Sequence, residues 1–367
     1  MTTQTVRGGD VDVVIDGDRI AWVGPGEADA ASGTVVAGFI DLQCNGAGGI
    51  DLTAEPERLW EVSAILPRYG VTAWLPTIVS SPRAIVERAM AALVDRPATA
   101  SPGHVAEPLG LHLEGPFLAA DHRGAHDPRH LAVPSIDGAR AAGWTRDAGV
   151  AMVTLAPELP GALELARALG QRGVVVAAGH SGATAEQAAA AADAGVILVT
   201  HLFNAMAPLH HRAPGLAGTA LTDRRWRCGV IADGVHLHPQ IVALAWAALG
   251  ERLVLVTDAV AALDAPPGPI RLGELVVEST SGHGVRLPDG TLAGSDLSMD
   301  RAVRNLAAFS GCSLAEACRA AAAAPAAVLG VTDRGRLAPG ARADLVVLTA
   351  TGDVTTTIIG GATAWRS

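Results

Sequence analysis

The chain has 367 residues, of which 49% are hydrophobic and 17% charged, a size that suits one α/β barrel with a small appendage. A formal net charge of −10 disfavours polyanions, so nucleic acid is not an expected partner. No uninterrupted apolar run is long enough to cross a bilayer and no basic-then-apolar leader is present, so no membrane partner and a cytoplasmic location are expected.

In chain order, "VDVVIDGDRIAWVG" comes first and alternates around a D-G-D turn, as a β-hairpin does. Apolar runs then alternate with helical patterns. The runs are "VVAGFIDLQ", "VTAWLPTIV", "LGLHLEGPF", "AMVTLAPEL", "GVVVAAGHS", "GVILVTHLF", "CGVIADGVH" and "RLVLVTDAV". Between them lie helical candidates such as "SPRAIVERAMAALVDR" and "TAEQAAAAADAG", several closing on Gly. Eight continuous apolar strands separated by helices predict a (β/α)8 TIM-like barrel over residues 37–336. The last stretch, "GRLAPGARADLVVLTATGDVTTTIIGGATAW", is a set of short β runs that cannot bury a face alone. Residues 1–36 and 337–367 are therefore expected to combine into one small β-sandwich domain.

Most of the barrel runs finish on a polar residue rather than fading into a turn. In such barrels the C-terminal strand ends form the active site, which singles out Gln43, Glu114, His180, His201, His236 and Asp258. One such residue alone is more often a hydrogen-bonded structural group than a ligand. Six on one rim are hard to explain that way. A carboxylate at Glu114 is expensive to bury without a cation or donors, and the imidazoles of His180 and His201 suit Zn²⁺, giving a His₂Glu set with a position left for water. Asp258 is placed to take a proton from that water and return it to a leaving amine, although a helix N-cap is the simpler alternative for a lone Asp. His236 is a candidate for a substrate carbonyl or hydroxyl, His126 sits on a Gly- and Pro-bounded loop, and Arg212 offers an anion fork.

Two absences narrow the chemistry. All 27 basic residues are Arg, so Schiff-base, pyridoxal-phosphate and P-loop lysines are impossible, as is a carboxylated lysine bridging two metals. The four cysteines, Cys44, Cys228, Cys312 and Cys318, show no CxxC pairing, which fits a reducing compartment and argues against a zinc knuckle.

Taken together, "GFIDLQCNGAGG", "GLHLEGPF", "GAHDP", "TLAPE", "AGHS", "THLFNAM", "PGLAG", "IADGVH", "VTDA" and "GTLAGSDLSMDRAVRNL" cover nearly the whole chain and closely resemble the N-acetylglucosamine-6-phosphate deacetylase family of the amidohydrolase superfamily. Many amidohydrolases carry His-x-His at the end of the first strand. One branch of this family has Gln-x-Asn there and keeps a single metal, and Gln43 and Asn45 match it. The resemblance implies one divalent metal, usually Zn²⁺, on Glu114, His180 and His201, with Asp258 as acid/base and His236 helping to stabilise the oxyanion. It implies substrate contacts from His236, Asn204, Ala205, His126 and Gln43 and from the segment Ser295–Met299, which includes Leu297. It also implies a homodimer in which Arg212 reaches a neighbouring subunit's sugar phosphate. Departures from the family pattern are Ala213 where Glu is common, Gly182 where Asn or Asp often follows the His-Ser pair, and Ala37 for Pro. Alternatives are the galactosamine 6-phosphate epimer, another small amide, or a catalytically silent barrel.

Overall fold

The computed structural model describes residues 3–9, 11–26, 33–266, 268–273, 275–280 and 284–367. Residues 1–2, 10 and 27–32 of the expected N-terminal segment lie outside the described residues.

The eight runs form eight parallel strands paired in sequence order: β1 (Phe39–Cys44), β2 (Val71–Val79), β3 (Leu111–Glu114), β4 (Val150–Leu155), β5 (Val175–Ala178), β6 (Leu198–Val199), β7 (Arg227–Val230) and β8 (Leu253–Leu255). The ring closes just beyond β8, through a parallel bridge between Cys44 and Ala259. Asp258 N–H donates to the Gln43 carbonyl at 2.9 Å, and Asn45 N–H to that of Ala259. The architecture is a (β/α)8 barrel. Its strands are apolar on both faces because one face meets the barrel interior and the other the helices. Every residue of β4 is buried, and alanines such as Ala188, Ala191, Ala217 and Ala245 let helices approach that surface closely.

The two ends of the chain meet. An antiparallel sheet of Thr3–Arg7, Val11–Asp16 and Arg19–Pro25 lies with a second sheet in which Thr34–Ala37 pairs with Leu345–Leu348, followed by Val354–Ile359 and Ala362–Arg366. Val13, Ile15, Ile20, Val35, Leu345 and Ile358 share one apolar core, separate from that of the barrel. Ile20 N–H donates to the Ala341 carbonyl and Gly340 N–H to that of Ile20, each at 2.8 Å, so neither terminal segment is complete without the other.

The sequence predicts no element between β8 and the helix Met299–Ser310. The structure places there an antiparallel meander, Gly268–Leu272, Leu275–Thr280 and Gly284–Arg286. It packs on Val260, Ala262 and Ala293 over the C-terminal mouth of the barrel. Gly273 N–H is accepted by the buried carboxylate of Asp51, which ties the meander to the loop after β1.

Candidate active site

The functional side chains stand where strands stop. Glu114 is the last residue of β3, and Gln43 is the penultimate residue of β1, two before Asn45. His180, His201 and Asp258 each follow a strand and adopt positive φ, at 50°, 32° and 49°. That left-handed backbone costs of the order of 1–3 kcal/mol per residue and is retained where the surroundings over-determine it. Here it aims three polar side chains at one point. Gly179 has no such freedom to spare: a Cβ there would lie 2.9 Å from Thr154 Cγ2 and 3.0 Å from Thr200 Cβ, so the residue before His180 must be glycine for β4, β5 and β6 to approach.

Glu114 Oε1, His180 Nε2 and His201 Nε2 form a triangle with sides of 3.2, 3.0 and 3.1 Å. All three residues are 3–4% exposed. His180 Nδ1 lies 2.9 Å from the carbonyl of His122, which can only accept, so the proton is on Nδ1 and a lone pair on Nε2. Three lone-pair atoms thus face one another, with at most one proton, on His201 Nε2, to share among them. A tetrahedral ion with bonds of about 2.0–2.1 Å has ligands about 3.3 Å apart, close to these sides. The donor set fits a divalent cation. Burial pushes the Glu114 carboxyl up, but the imidazoles of His180 and His201 beside it outweigh this and hold it well below the usual carboxylate range.

His126 is close to the same point, since Glu114, His126 and His180 also present possible ligand atoms within 4.8 Å of one another. Its ring is already committed, however. His126 Nδ1 accepts the Ser80 N–H at 3.3 Å and lies 2.9 Å from Ser80 Oγ, so its proton sits on Nε2, 3.9 Å from Glu114 Oε2. Burial, with His180 beside it, pushes the His126 pKa down to about 3. It enters the cavity as a neutral donor.

Gln43 and Asn45 hold carboxylates. Gln43 Nε2 donates to Glu114 Oε1 and to Asp258 Oδ1, both at 3.0 Å, and Asn45 Nδ2 donates to Asp258 Oδ1 at 2.8 Å. Where two histidines would bring lone pairs, two amides bring protons. Burial and the nearby Glu114 charge raise the Asp258 pKa to about 6, within the range of a working proton acceptor. Behind this pair, fully buried Asp41 accepts the Thr257 hydroxyl at 2.5 Å, and burial pushes its pKa up to about 7.

These residues open onto a cavity of about 710 Å³, which Asn45, Glu114, His126, His180, His201, Asn204, Ala205, His236 and Asp258 help to line. His236 Nδ1 donates to Asp233 Oδ2 at 2.7 Å, turning Nε2 away from Asp233. Burial raises the Asp233 carboxyl, and the His236 contact more than reverses this. Two expected substrate-side residues, Gln43 and Leu297, are placed differently. Gln43 is 2% exposed and spends its amide hydrogens on the two carboxylates. Leu297 is fully buried, its N–H bonded to Ser295 Oγ, which in turn donates to the Thr257 carbonyl; that segment braces Asp258 from behind. Arg212 is exposed on the turn His210–Ala213 and is not among the residues lining this cavity. The sequence also left out Leu272, Gly273, Arg286, Thr291 and Leu292, which line the cavity from the meander and its return. The only signal for them is a weak alternation in "PGPIRLGELVVEST".

A model of the amidohydrolase family matches residues 34–364. The chain belongs to the amidohydrolase family. It is 38% identical over 378 residues to the human N-acetylglucosamine-6-phosphate deacetylase, covering 99% of this chain and 91% of that one. It is 40% identical over 316 residues to the N-acetylgalactosamine-6-phosphate deacetylase of Escherichia coli O157:H7, covering 84% of this chain and 82% of that one. Among solved structures it resembles a mutant N-acetyl-D-glucosamine-6-phosphate deacetylase of Mycobacterium smegmatis in complex with N-acetyl-D-glucosamine-6-phosphate, with a TM-score of 0.89, 35% identity and coverage of 99% and 98%. For the Thermotoga maritima N-acetylglucosamine-6-phosphate deacetylase the TM-score is 0.88, with 35% identity and coverage of 97% and 95%.

The amide braces give a direct expectation. Gln43→Leu keeps the volume but removes both donors, so kcat is expected to fall by about 10- to 100-fold while bound metal, measured by elemental analysis, stays near one per chain. Unchanged kcat would show that the brace is dispensable.

Proposed function

We propose that this chain hydrolyses the N-acetyl group of N-acetylglucosamine 6-phosphate, giving glucosamine 6-phosphate and acetate. The observation that carries the chemistry is the convergence of Glu114, His180 and His201 on one point, with Asp258 lining the same cavity. The substrate class is supported by relatives such as the human deacetylase, which the chain matches over 99% of its length.

Glu114, His180 and His201 would hold the metal, and a His₂Glu set best suits Zn²⁺. A bound divalent ion supplies Lewis acidity to the amide carbonyl and makes water a better nucleophile near neutral pH. Asp258 accepts the proton of the attacking water and delivers it to the departing amine. Gln43 and Asn45, both on Oδ1, fix the carboxylate's orientation and leave Oδ2 for that transfer. His236, anchored through Nδ1, meets the substrate with Nε2. His126 supplies a further donor through Nε2, and Asn204 and Ala205 flank the sugar phosphate. Asn204 Nδ2 itself donates to the carbonyls of His201 and Leu202, which keeps this segment next to a metal ligand.

Arg212, exposed and outside the cavity of its own chain, fits a phosphate role in a homodimer that delivers it to the neighbouring site. The four cysteines are free, and we place the reaction in the cytoplasm. A second reading, the galactosamine epimer, is favoured by the 40% identity to the Escherichia coli O157:H7 protein.

Acetate release from the zinc-loaded protein, followed with both epimers, tests the function; turnover of N-acetylglucosamine 6-phosphate well above the epimer is expected, and the reverse order would replace the substrate. Asp258→Asn should keep the metal and lose about 10²- to 10⁴-fold in kcat, because the shape survives and proton transfer does not; a near wild-type kcat would remove Asp258 from the mechanism. Arg212→Ala should raise KM for the phosphorylated sugar about tenfold or more relative to the free sugar. Equal shifts for both, or full activity from a protein that sediments as a monomer, would remove the cross-subunit role.

A further inference from the structure

We propose that His122 is a substrate-contacting residue, its imidazole seated over Gly182 at the edge of the cavity and hydrogen-bonded to the phosphate-bearing end of the sugar. This rests on the sugar-phosphate reading above and concerns a residue to which that reading gives no role.

His122 lines the catalytic cavity. It ends the short turn Ala120–His122, and that turn is fastened to the metal ligand His180 from both sides. Ala119 N–H donates to the His180 carbonyl at 3.0 Å, and His180 Nδ1–H donates to the His122 carbonyl at 2.9 Å. The position of the His122 ring is therefore referenced to the ion site through two short hydrogen bonds, as a substrate-positioning group requires.

The ring has room because residue 182 is glycine. A Cβ built there would lie 3.0 Å from His122 Nε2 and 3.2 Å from its Cδ2, so any side chain at 182 displaces the imidazole. The floor beneath is fixed. Glu158 accepts the Ser181 hydroxyl at 2.7 Å through Oε2 and the Gly182 N–H at 2.5 Å through Oε1, so both carboxylate oxygens are engaged with the loop.

This floor runs beside the phosphate-flanking segment. Ser181 N–H donates to the Ala205 carbonyl at 3.1 Å, and Ala207 N–H to that of Ser181 at 3.0 Å. Gly182 thus adjoins Ala205, and the ring above it lies at the end of the cavity to which Asn204 and Ala205 belong. With Arg212 outside its own chain's cavity, His122 is a side-chain donor that this chain itself brings to that end.

The test compares N-acetylglucosamine 6-phosphate with free N-acetylglucosamine in the zinc-loaded protein. Losing a hydrogen bond to a charged group, His122→Ala should raise KM for the phosphorylated sugar about 10- to 100-fold, with a much smaller effect on kcat and on the free sugar. Gly182→Asn should have a similar effect by pushing the ring aside, and adding it to His122→Ala should cost little more, because both changes remove one contact. His122→Gln, which restores a donor, should recover part of the loss. Equal KM changes for the two sugars, or additive effects in the double variant, would overturn the proposal. A wild-type protein that turns over no acetamido sugar phosphate would instead overturn the functional reading.

Discussion

Everything at the mouth of this barrel depends on one unfavourable contact. Glu114 Oε1, His180 Nε2 and His201 Nε2 sit within 3.2 Å of one another, out of contact with bulk water, and the His180 tautomer fixed by the His122 carbonyl presents a lone pair to the other two. Buried lone pairs arranged this way repel unless a cation stands among them, and taking a carboxylate out of water costs several kcal/mol by itself. The surrounding structure holds the contact in place. Three left-handed residues, a glycine with no room for a Cβ and a closed ring of strands leave these side chains little freedom to turn away. Side chains held this way would take up a divalent cation with little reorganisation.

The barrel seam serves the same end. β1 and the segment after β8 are joined by backbone hydrogen bonds, by the Asp41–Thr257 contact and by the two amides on Asp258. Gln43 spans both carboxylates, so closure of the fold and orientation of Asp258 are one event. This also explains how a chain without His-x-His at its first strand keeps a working geometry. Replacing imidazole with primary amide exchanges an acceptor for a donor, and a donor is what two neighbouring carboxylates need.

The cavity is shaped by more than the barrel. The meander after β8 supplies one wall, held down by Asp51 through Gly273 N–H, while the loop carrying His122, Gly124 and His126 supplies another. Neither wall belongs to the regular βα repeat. Such additions on a shared scaffold are where substrate choice is made, since the loops at the C-terminal face vary while the strands beneath stay alike.

By itself the sequence determined the barrel, the joining of the two chain ends into one β unit, and the polar residues at the strand ends. Each of these follows from local pattern: continuous apolar runs need cover on both faces, alternating terminal strands need a partner sheet, and a polar residue closing a buried run needs a reason. Glu114, His180, His201 and Asp258 were legible on those grounds. Only the tertiary structure decided what each does to its neighbours. Gln43 turned from a substrate-side residue into a brace and Leu297 into support behind Asp258, because the hydrogen-bond partners of Gln43 lie 71 and 215 residues away and no periodicity encodes them. The meander was hidden because its strands are short. The seat of His122 over Gly182 was hidden because it joins two loops 60 residues apart, whose approach is set by how neighbouring strands end.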